Sequence, residues 1–161
     1  MEKEFKFIID TRKAFISLVD GLSIDELNQI PEGFNNNIAW NFGHIVVSTQ
    51  TLCYVRTGIK SDVTDVKYVQ AYKKDTKPTY FISAAEIHEL KSIAIASIEK
   101  IQLDYQNGLF ANVTPFSTST YGSTLATFDD VLITTIGHDN LHLGYAQALR
   151  RAIKSNKQQS N

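Results

Sequence analysis

Residues 136–145 read Ile-Gly-His-Asp-Asn-Leu-His-Leu-Gly-Tyr, a stretch that places His138 and His142 four residues apart. Its periodicity predicts a helix, and four helical residues turn through about 400° and rise about 6 Å. Both imidazoles therefore leave the same face of the helix, one above the other. Two neutral nitrogens in this arrangement suit a single metal ion such as zinc, nickel or iron(II). Because the whole chain has only four histidines, two of them at ligand spacing indicate a metal site.

The helix around this pair is predicted to begin at a cap formed by Thr127 and Asp130 and to reach about Ile153. Its expected inward line has alternating spacings of four and three residues and consists of Val131, Thr135, His138, His142, Tyr145 and Leu149. Both histidines thus occupy positions where a bundle buries side chains. A buried polar group without a partner costs about 1–3 kcal/mol. The pair therefore indicates either a metal site or a hydrogen-bonded pair in the core or in a partly wet cleft.

Upstream of this helix, three further long segments share helical periodicity: residues 2–20, 38–57 and 83–106. The run of asparagines at residues 35–37 is expected to cap the second of these at its N-terminus, and Ser83 the third. Gly58 is expected to end the second. Arg12 lies on the apolar stripe of the first segment, so its side chain is predicted to point inward.

Residues 107–126 contain Gly, Pro and many Ser and Thr, and they predict a long crossover loop. Strand-like alternation is weak throughout the chain. The predicted fold class is therefore all-α, a four-helix bundle with a long crossover before the last helix. We expect a single domain over residues 1–153, followed by a polar C-terminal tail at residues 154–161 that frays.

The composition is that of an ordinary globular protein, with 161 residues, 43% of them hydrophobic and 20% charged. The formal net charge of −1 argues against nucleic acid as a partner. The N-terminus lacks the apolar region of a signal peptide, and no apolar run approaches the roughly 18 residues that cross a bilayer. We therefore expect a cytoplasmic protein with no membrane association.

The single cysteine, Cys53, cannot form an internal disulfide and offers no thiolate cluster for a structural zinc site. Its position within an apolar helix predicts a small buried hydrophobe. A catalytic thiol is the alternative.

His44 is a candidate third ligand from a different helix. It lies in the stretch Trp40-Asn-Phe-Gly-His44 on the second long helix, where Gly43 would permit a close approach of another segment. One histidine from this helix and a pair from the last helix would leave coordination positions open, as in catalytic metal sites. A histidine in an apolar helix can also be a core residue with hydrogen-bond partners, and spacing alone leaves that alternative open.

Two blocks of sequence, residues 37–44 (Asn-Ile-Ala-Trp-Asn-Phe-Gly-His) and residues 138–151 (His-Asp-Asn-Leu-His-Leu-Gly-Tyr-Ala-Gln-Ala-Leu-Arg-Arg), resemble the DinB/YfiT-like superfamily. The order of the helices and the crossover resemble it as well. The resemblance implies a metal-binding four-helix bundle that forms a homodimer. It also implies that His44, His138 and His142 are the metal ligands.

Three further residues are candidates for the site. Asp139 is a candidate general base, or a carboxylate that orients a ligand imidazole. Arg12 is a candidate to bind a substrate carboxylate or a thiol cofactor; the alternatives are a partner of Asp139 and an edge residue whose charged end reaches solvent. Tyr145 stands where many members of the superfamily have Gln, and its expected inward position predicts contact with substrate. His88, beside charged residues and off the apolar line, is expected to be exposed.

The resemblance implies a divalent metal ion, with zinc or nickel favoured, and a small-molecule substrate. The superfamily includes S-transferases that use low-molecular-weight thiols such as bacillithiol, mycothiol or glutathione, and a thiol-dependent isomerase. We therefore expect a metal-dependent transferase that uses such a thiol. A metal-dependent hydrolase is the enzymatic alternative. There are two non-enzymatic alternatives: a stress-associated metal-binding module, and a dimer scaffold whose metal site is vestigial.

Overall fold

Four long helices form the body of the protein. The computed structural model describes the backbone of residues 1–159 and the side chains of residues 1–155. In chain order its elements are α1 (Glu2–Asp20), α2 (Ile24–Asn28), α3 (Ile38–Gln50), α4 (Val69–Tyr72), α5 (Ala84–Gln106), β1 (Phe116–Ser117), β2 (Thr124–Leu125) and α6 (Phe128–Gln159). Helices α1 and α3 each pack against both α5 and α6. The predicted all-α bundle is therefore confirmed.

Polar side chains cap the N-termini of α3 and α5 at positions that the sequence predicts. Asn37 Oδ1 accepts a hydrogen bond from the backbone N–H of Trp40 at 2.7 Å, and the Ser83 hydroxyl accepts one from the N–H of Glu86 at 3.1 Å. Such caps satisfy backbone donors that have no partner within the helix. The cap at Asn37 sets where α3 begins, and hence the direction in which His44 points.

The second long helix changes its winding before it ends. The sequence predicts one helix over residues 38–57, but its α-helical part ends at Gln50 and one π-helical turn covers Thr51–Arg56. Apolar periodicity does not separate the two forms, because they differ little over a single turn. Gly58 ends the segment as predicted, with a φ of 77° that glycine adopts without steric cost.

Two apolar clusters fill the bundle, and a charged pair lies in the core as well. Phe15 of α1 belongs to one cluster and Ile8 of the same helix belongs to the other. Arg12 lies between them along α1, and its side chain is fully buried, as is Asp139 on α6. The inward position predicted for Arg12 is thus confirmed.

The short helix α4 lies directly against α3 at Gly43. A Cβ atom added to Gly43 would come within 2.5 Å of the Tyr72 ring, closer than packed atoms can approach. Glycine therefore allows the close approach that the sequence predicts here. As a result, the backbone carbonyl of Tyr72 comes within reach of the His44 ring.

The connection between α5 and α6 is the long crossover that the sequence predicts. Within it, β1 and β2 form a small antiparallel hairpin in which Phe116 pairs with Leu125. Such short strands leave no periodic signal in the sequence. The stretch between the two strands forms part of the wall of the cavity described below.

Helix α6 is longer than the sequence predicts. It runs for 32 residues to Gln159 instead of ending near Ile153. Residues 154–159, expected to belong to a frayed tail, continue the helix, and residues 160–161 lie outside the described part of the chain. Neither α6 nor any other helix of the described residues is both long and apolar enough to cross a bilayer.

Candidate metal centre

Three histidines from two helices come together on one side of the bundle. The ring centroids are 5.1 Å apart for His44 and His138, 4.7 Å for His44 and His142, and 4.6 Å for His138 and His142. One candidate ligand nitrogen from each ring lies within 4.8 Å of the other two. The three histidines are therefore positioned to bind a metal ion.

Backbone and aromatic contacts hold the His44 ring. Its Nδ1 lies 2.7 Å from the backbone carbonyl oxygen of Tyr72. Because that oxygen can only accept, Nδ1 carries the proton and Nε2 keeps its lone pair. The Trp40 ring stacks on the imidazole, with centroids 4.7 Å apart and planes at 14°. His44 is thus fixed in the tautomer that offers Nε2 as a ligand.

A buried amide holds the His142 ring in the same manner. Asn41 Nδ2 donates to the backbone oxygen of Asn37 at 2.7 Å, so Asn41 Oδ1 faces His142 Nδ1 at 2.8 Å and accepts a hydrogen bond from its N–H. The Nε2 of His142 is then free to bind a metal. Sequence reasoning missed Asn41, although a polar residue three positions before His44 on an apolar helix is a signal that could have identified it.

An unpartnered nitrogen of His138 indicates whether a metal ion fits this site. Its Nδ1 atom is buried and has no hydrogen-bond partner among the described residues. A buried polar atom without a partner is rare in folded proteins. The other two rings each use Nδ1 in a hydrogen bond, and Nε2 of His44 lies 3.2 Å from the Ser48 hydroxyl. The set of donors, three neutral imidazoles with one unpartnered buried nitrogen, fits a divalent ion such as zinc or nickel.

Burial keeps the three imidazoles neutral. It lowers the pKa of His138 to about 3 and that of His142 to about 4, from an ordinary value of 6.5, and neighbouring imidazoles add to both shifts. Burial also lowers the pKa of His44, although the hydrogen bond to Tyr72 opposes this. Neutral imidazole is the form that binds a metal. The site is therefore ready to bind at neutral pH without first losing protons.

We expect the metal-free protein to lose stability as the pH falls from about 6.5 towards 4 and then 3. In that range His138 and His142 are protonated in the unfolded chain but stay neutral in the folded protein, where their pKa values are lower. Because the unfolded state binds more protons, acid favours unfolding. Urea unfolding at several pH values measures this. In a His138→Phe/His142→Phe variant, the free energy of unfolding should fall less steeply as the pH falls. An unchanged dependence on pH in that variant would show that these two histidines are not its cause.

Arg12 and Asp139 form a buried ion pair instead of facing a substrate. Arg12 Nε donates to Asp139 Oδ2 at 2.8 Å, and Nη2 donates to the Thr49 hydroxyl at 2.7 Å. Both charged side chains are 0% exposed, and neither lines the cavity. Burial raises the pKa of Asp139, and the Arg12 guanidinium opposes that shift. The ion pair therefore favours the alternative in which Arg12 and Asp139 are partners over a general base at Asp139 and a substrate ligand at Arg12.

Tyr145 lies at the surface, which corrects its expected inward position. Its side chain is 38% exposed, packs edge-on against Phe34 with centroids 5.7 Å apart, and does not line the cavity. Helix α6 buries Asp139 and Ala146 instead. Since successive helical residues differ by about 100°, Tyr145 is turned well away from Ala146 and towards the surface.

The remaining two candidates lie where the sequence predicts. Cys53 is fully buried, and burial raises the pKa of its thiol to about 12. It therefore packs as a small hydrophobe and does not offer a thiolate. His88 is exposed on α5.

The histidines open onto a cavity of about 660 Å³, a size suited to a small molecule. Helices α3 and α6, the π-helical turn, the residues around α4 and the β-hairpin all contribute to its wall. Among the described residues that line it, none is Asp or Glu. The three histidines thus face a space that a substrate can enter.

The chain was compared with known proteins. No curated protein matches it. Over residues 8–146, however, it matches the model of the DinB superfamily. This match covers most of the chain, from Ile8 in α1 to Ala146 in α6, and includes all three histidines. The chain therefore belongs to the DinB superfamily.

Proposed function

We propose that the protein is a metal-dependent enzyme that joins a low-molecular-weight thiol to a small electrophilic substrate. The observation that carries this proposal is a cluster of three neutral imidazoles that opens onto a cavity whose described lining has no carboxylate. A bound divalent ion would supply the positive charge that keeps the sulfur of the thiol ionised at neutral pH.

The absence of a carboxylate from the described lining favours a thiol over water as the nucleophile. Hydrolysis needs a group that takes a proton from water during the reaction. Asp139 is the nearest acidic residue along the chain, but it is fully buried and paired with Arg12. A bound metal ion must lower the pKa of water from about 15.7 to about 7, whereas a thiol starts at about 8.5 and needs a much smaller shift to ionise.

The thiol must come from a cofactor, because the only cysteine of the chain is inaccessible. Cys53 is 0% exposed and does not line the cavity. A free small thiol such as bacillithiol or glutathione would instead enter the cavity. There His44 and His142, each with Nδ1 already hydrogen-bonded, hold Nε2 in place for the metal.

Titration of the cobalt(II)-substituted protein with small thiols under anaerobic conditions tests this proposal. We expect cysteine, glutathione and bacillithiol to produce a sulfur-to-cobalt charge-transfer band in the near ultraviolet, because a coordinated thiolate gives such a band. The His142→Ala variant, treated in the same way, is the control. If no thiol changes the cobalt spectrum, the proposal fails and hydrolysis or simple metal storage takes its place.

A further inference from the structure

Among the described residues that line the cavity, the charged side chains are all cationic: Arg56, Lys73 and Lys74. We propose that the cavity binds an anionic thiol, one whose carboxylates contact this cationic rim. The identity of the ligand as a thiol rests on the proposed function, whereas its negative charge is inferred from the rim alone.

The rim is not explained by the composition of the chain. Lys and Arg number 16 and Asp and Glu number 17, so the two signs of charge are equally available. Nevertheless, none of the described lining residues is acidic. Cations around a concave surface of low dielectric raise the local concentration of anions.

Two of the three cations have no acidic partner among the described residues. Lys73 Nζ donates to the neutral side-chain oxygen of Gln70 at 2.7 Å, which leaves its charge uncompensated. Arg56 likewise makes no ion pair within the described part of the chain. Lys74 lies 3.0 Å from Asp75, which does not line the cavity. The rim therefore carries a net positive charge.

The β-hairpin holds the Arg56 guanidinium in place. Its Nη2 donates to the backbone oxygen of Ser117 at 2.9 Å, and its centre lies 4.8 Å from the centroid of the Phe116 ring. The remaining N–H groups can still donate to a ligand. A planar guanidinium with several donors matches the two oxygens of a carboxylate. Arg56 thus offers a preorganised carboxylate site.

Lys73 and Lys74 are linked to the metal centre through the backbone. They directly follow Tyr72, whose carbonyl oxygen accepts a hydrogen bond from the Nδ1–H group of His44. One segment therefore carries two cations of the rim and also orients a metal-ligand candidate. This is the arrangement expected if one ligand reaches both.

Calorimetric titration of the cobalt-loaded protein with glutathione and with glutathione diethyl ester tests the inference. The two probes have the same thiol, but the ester has no free carboxylates. We expect glutathione to bind about tenfold more tightly at low salt and the preference to shrink as salt is added. An Arg56→Gln/Lys73→Gln/Lys74→Gln variant should bind both probes equally.

A matched control removes the same net charge elsewhere. Lys3, Lys13 and Arg151 are exposed and lie outside the cavity, and their replacement by Gln should leave the preference for glutathione intact. Equal affinity of the wild-type protein for the two probes would overturn the inference. So would a preference that survives in the rim variant, or a failure of both probes to bind.

The cobalt spectrum, recorded in the same titration, separates this inference from the proposed function. A charge-transfer band with both probes but no preference would retain the proposed function and refute the anionic ligand. A preference without a band would retain the cationic rim as an anion site and refute coordination of the thiol.

Discussion

Replacement of His142 by alanine is expected to weaken zinc binding by at least about 100-fold. Changes to groups that only orient a metal-bound histidine cost about 10–100-fold in affinity, and this change removes a ligand nitrogen outright. It also leaves Asn41 Oδ1, which lies 2.8 Å from His142 Nδ1, without its donor. Because each histidine supplies one of three nitrogens, His44→Ala and His138→Ala should weaken binding in the same direction.

Competition with a chromophoric chelator, on protein purified without a histidine tag, measures these affinities. His88→Ala is the matched control, because His88 is exposed on α5 and is no part of the cluster. It should bind zinc as tightly as the wild-type protein. Wild-type affinity in all three variants of the cluster would show that the metal does not bind there.

The positions of the three histidines could be predicted because local rules place them. A spacing of four residues brings His138 and His142 to one face of a helix whatever the tertiary structure. The apolar pattern around His44 indicates that its helix is buried. The bundle then brings the two helices together, and the rings meet with centroids about 5 Å apart or less.

The orientation of α6 could not be predicted with the same accuracy, because it depends on a long-range ion pair. A charged residue is normally kept out of the core, and the spacing of residues along α6 predicts an inward line through Tyr145. Arg12, 127 residues earlier in the chain, compensates the charge of Asp139 and allows it to be buried. The buried line of α6 therefore passes through Asp139 and Ala146, and Tyr145 faces the surface.

The periodicity of the sequence also does not predict the groups that orient the histidines or those that form the rim. The acceptor for His44 is a backbone oxygen, at Tyr72, which any residue type could supply. Arg56, Lys73 and Lys74 lie at the ends of irregular or short segments, where no repeating pattern relates sequence to direction. Only the folded chain shows that these segments meet at one cavity.

Replacement of Arg12 by methionine is expected to lower the free energy of unfolding by about 3–5 kcal/mol at neutral pH, the cost of leaving a buried charge without its partner. Methionine keeps much of the apolar volume, so the loss comes from the ion pair and from the other hydrogen bonds of the guanidinium, such as the one to Thr49. Asp139 would lose the guanidinium that opposes the rise in its pKa. Its carboxyl should then take up a proton more readily, so the difference in stability between wild type and variant should shrink as the pH falls.

A double-mutant cycle, measured by urea unfolding, identifies the pair as the cause of this loss. Arg12→Met/Asp139→Leu removes both charges and should be much less destabilised than the sum of the two single variants, because neither charge remains buried alone. Asp10→Asn, which breaks the exposed pair between Lys6 and Asp10 on α1, is the control and should cost about 0–1 kcal/mol. If the single-variant effects at Arg12 and Asp139 simply add, then volume and packing, and not the ion pair, account for the cost.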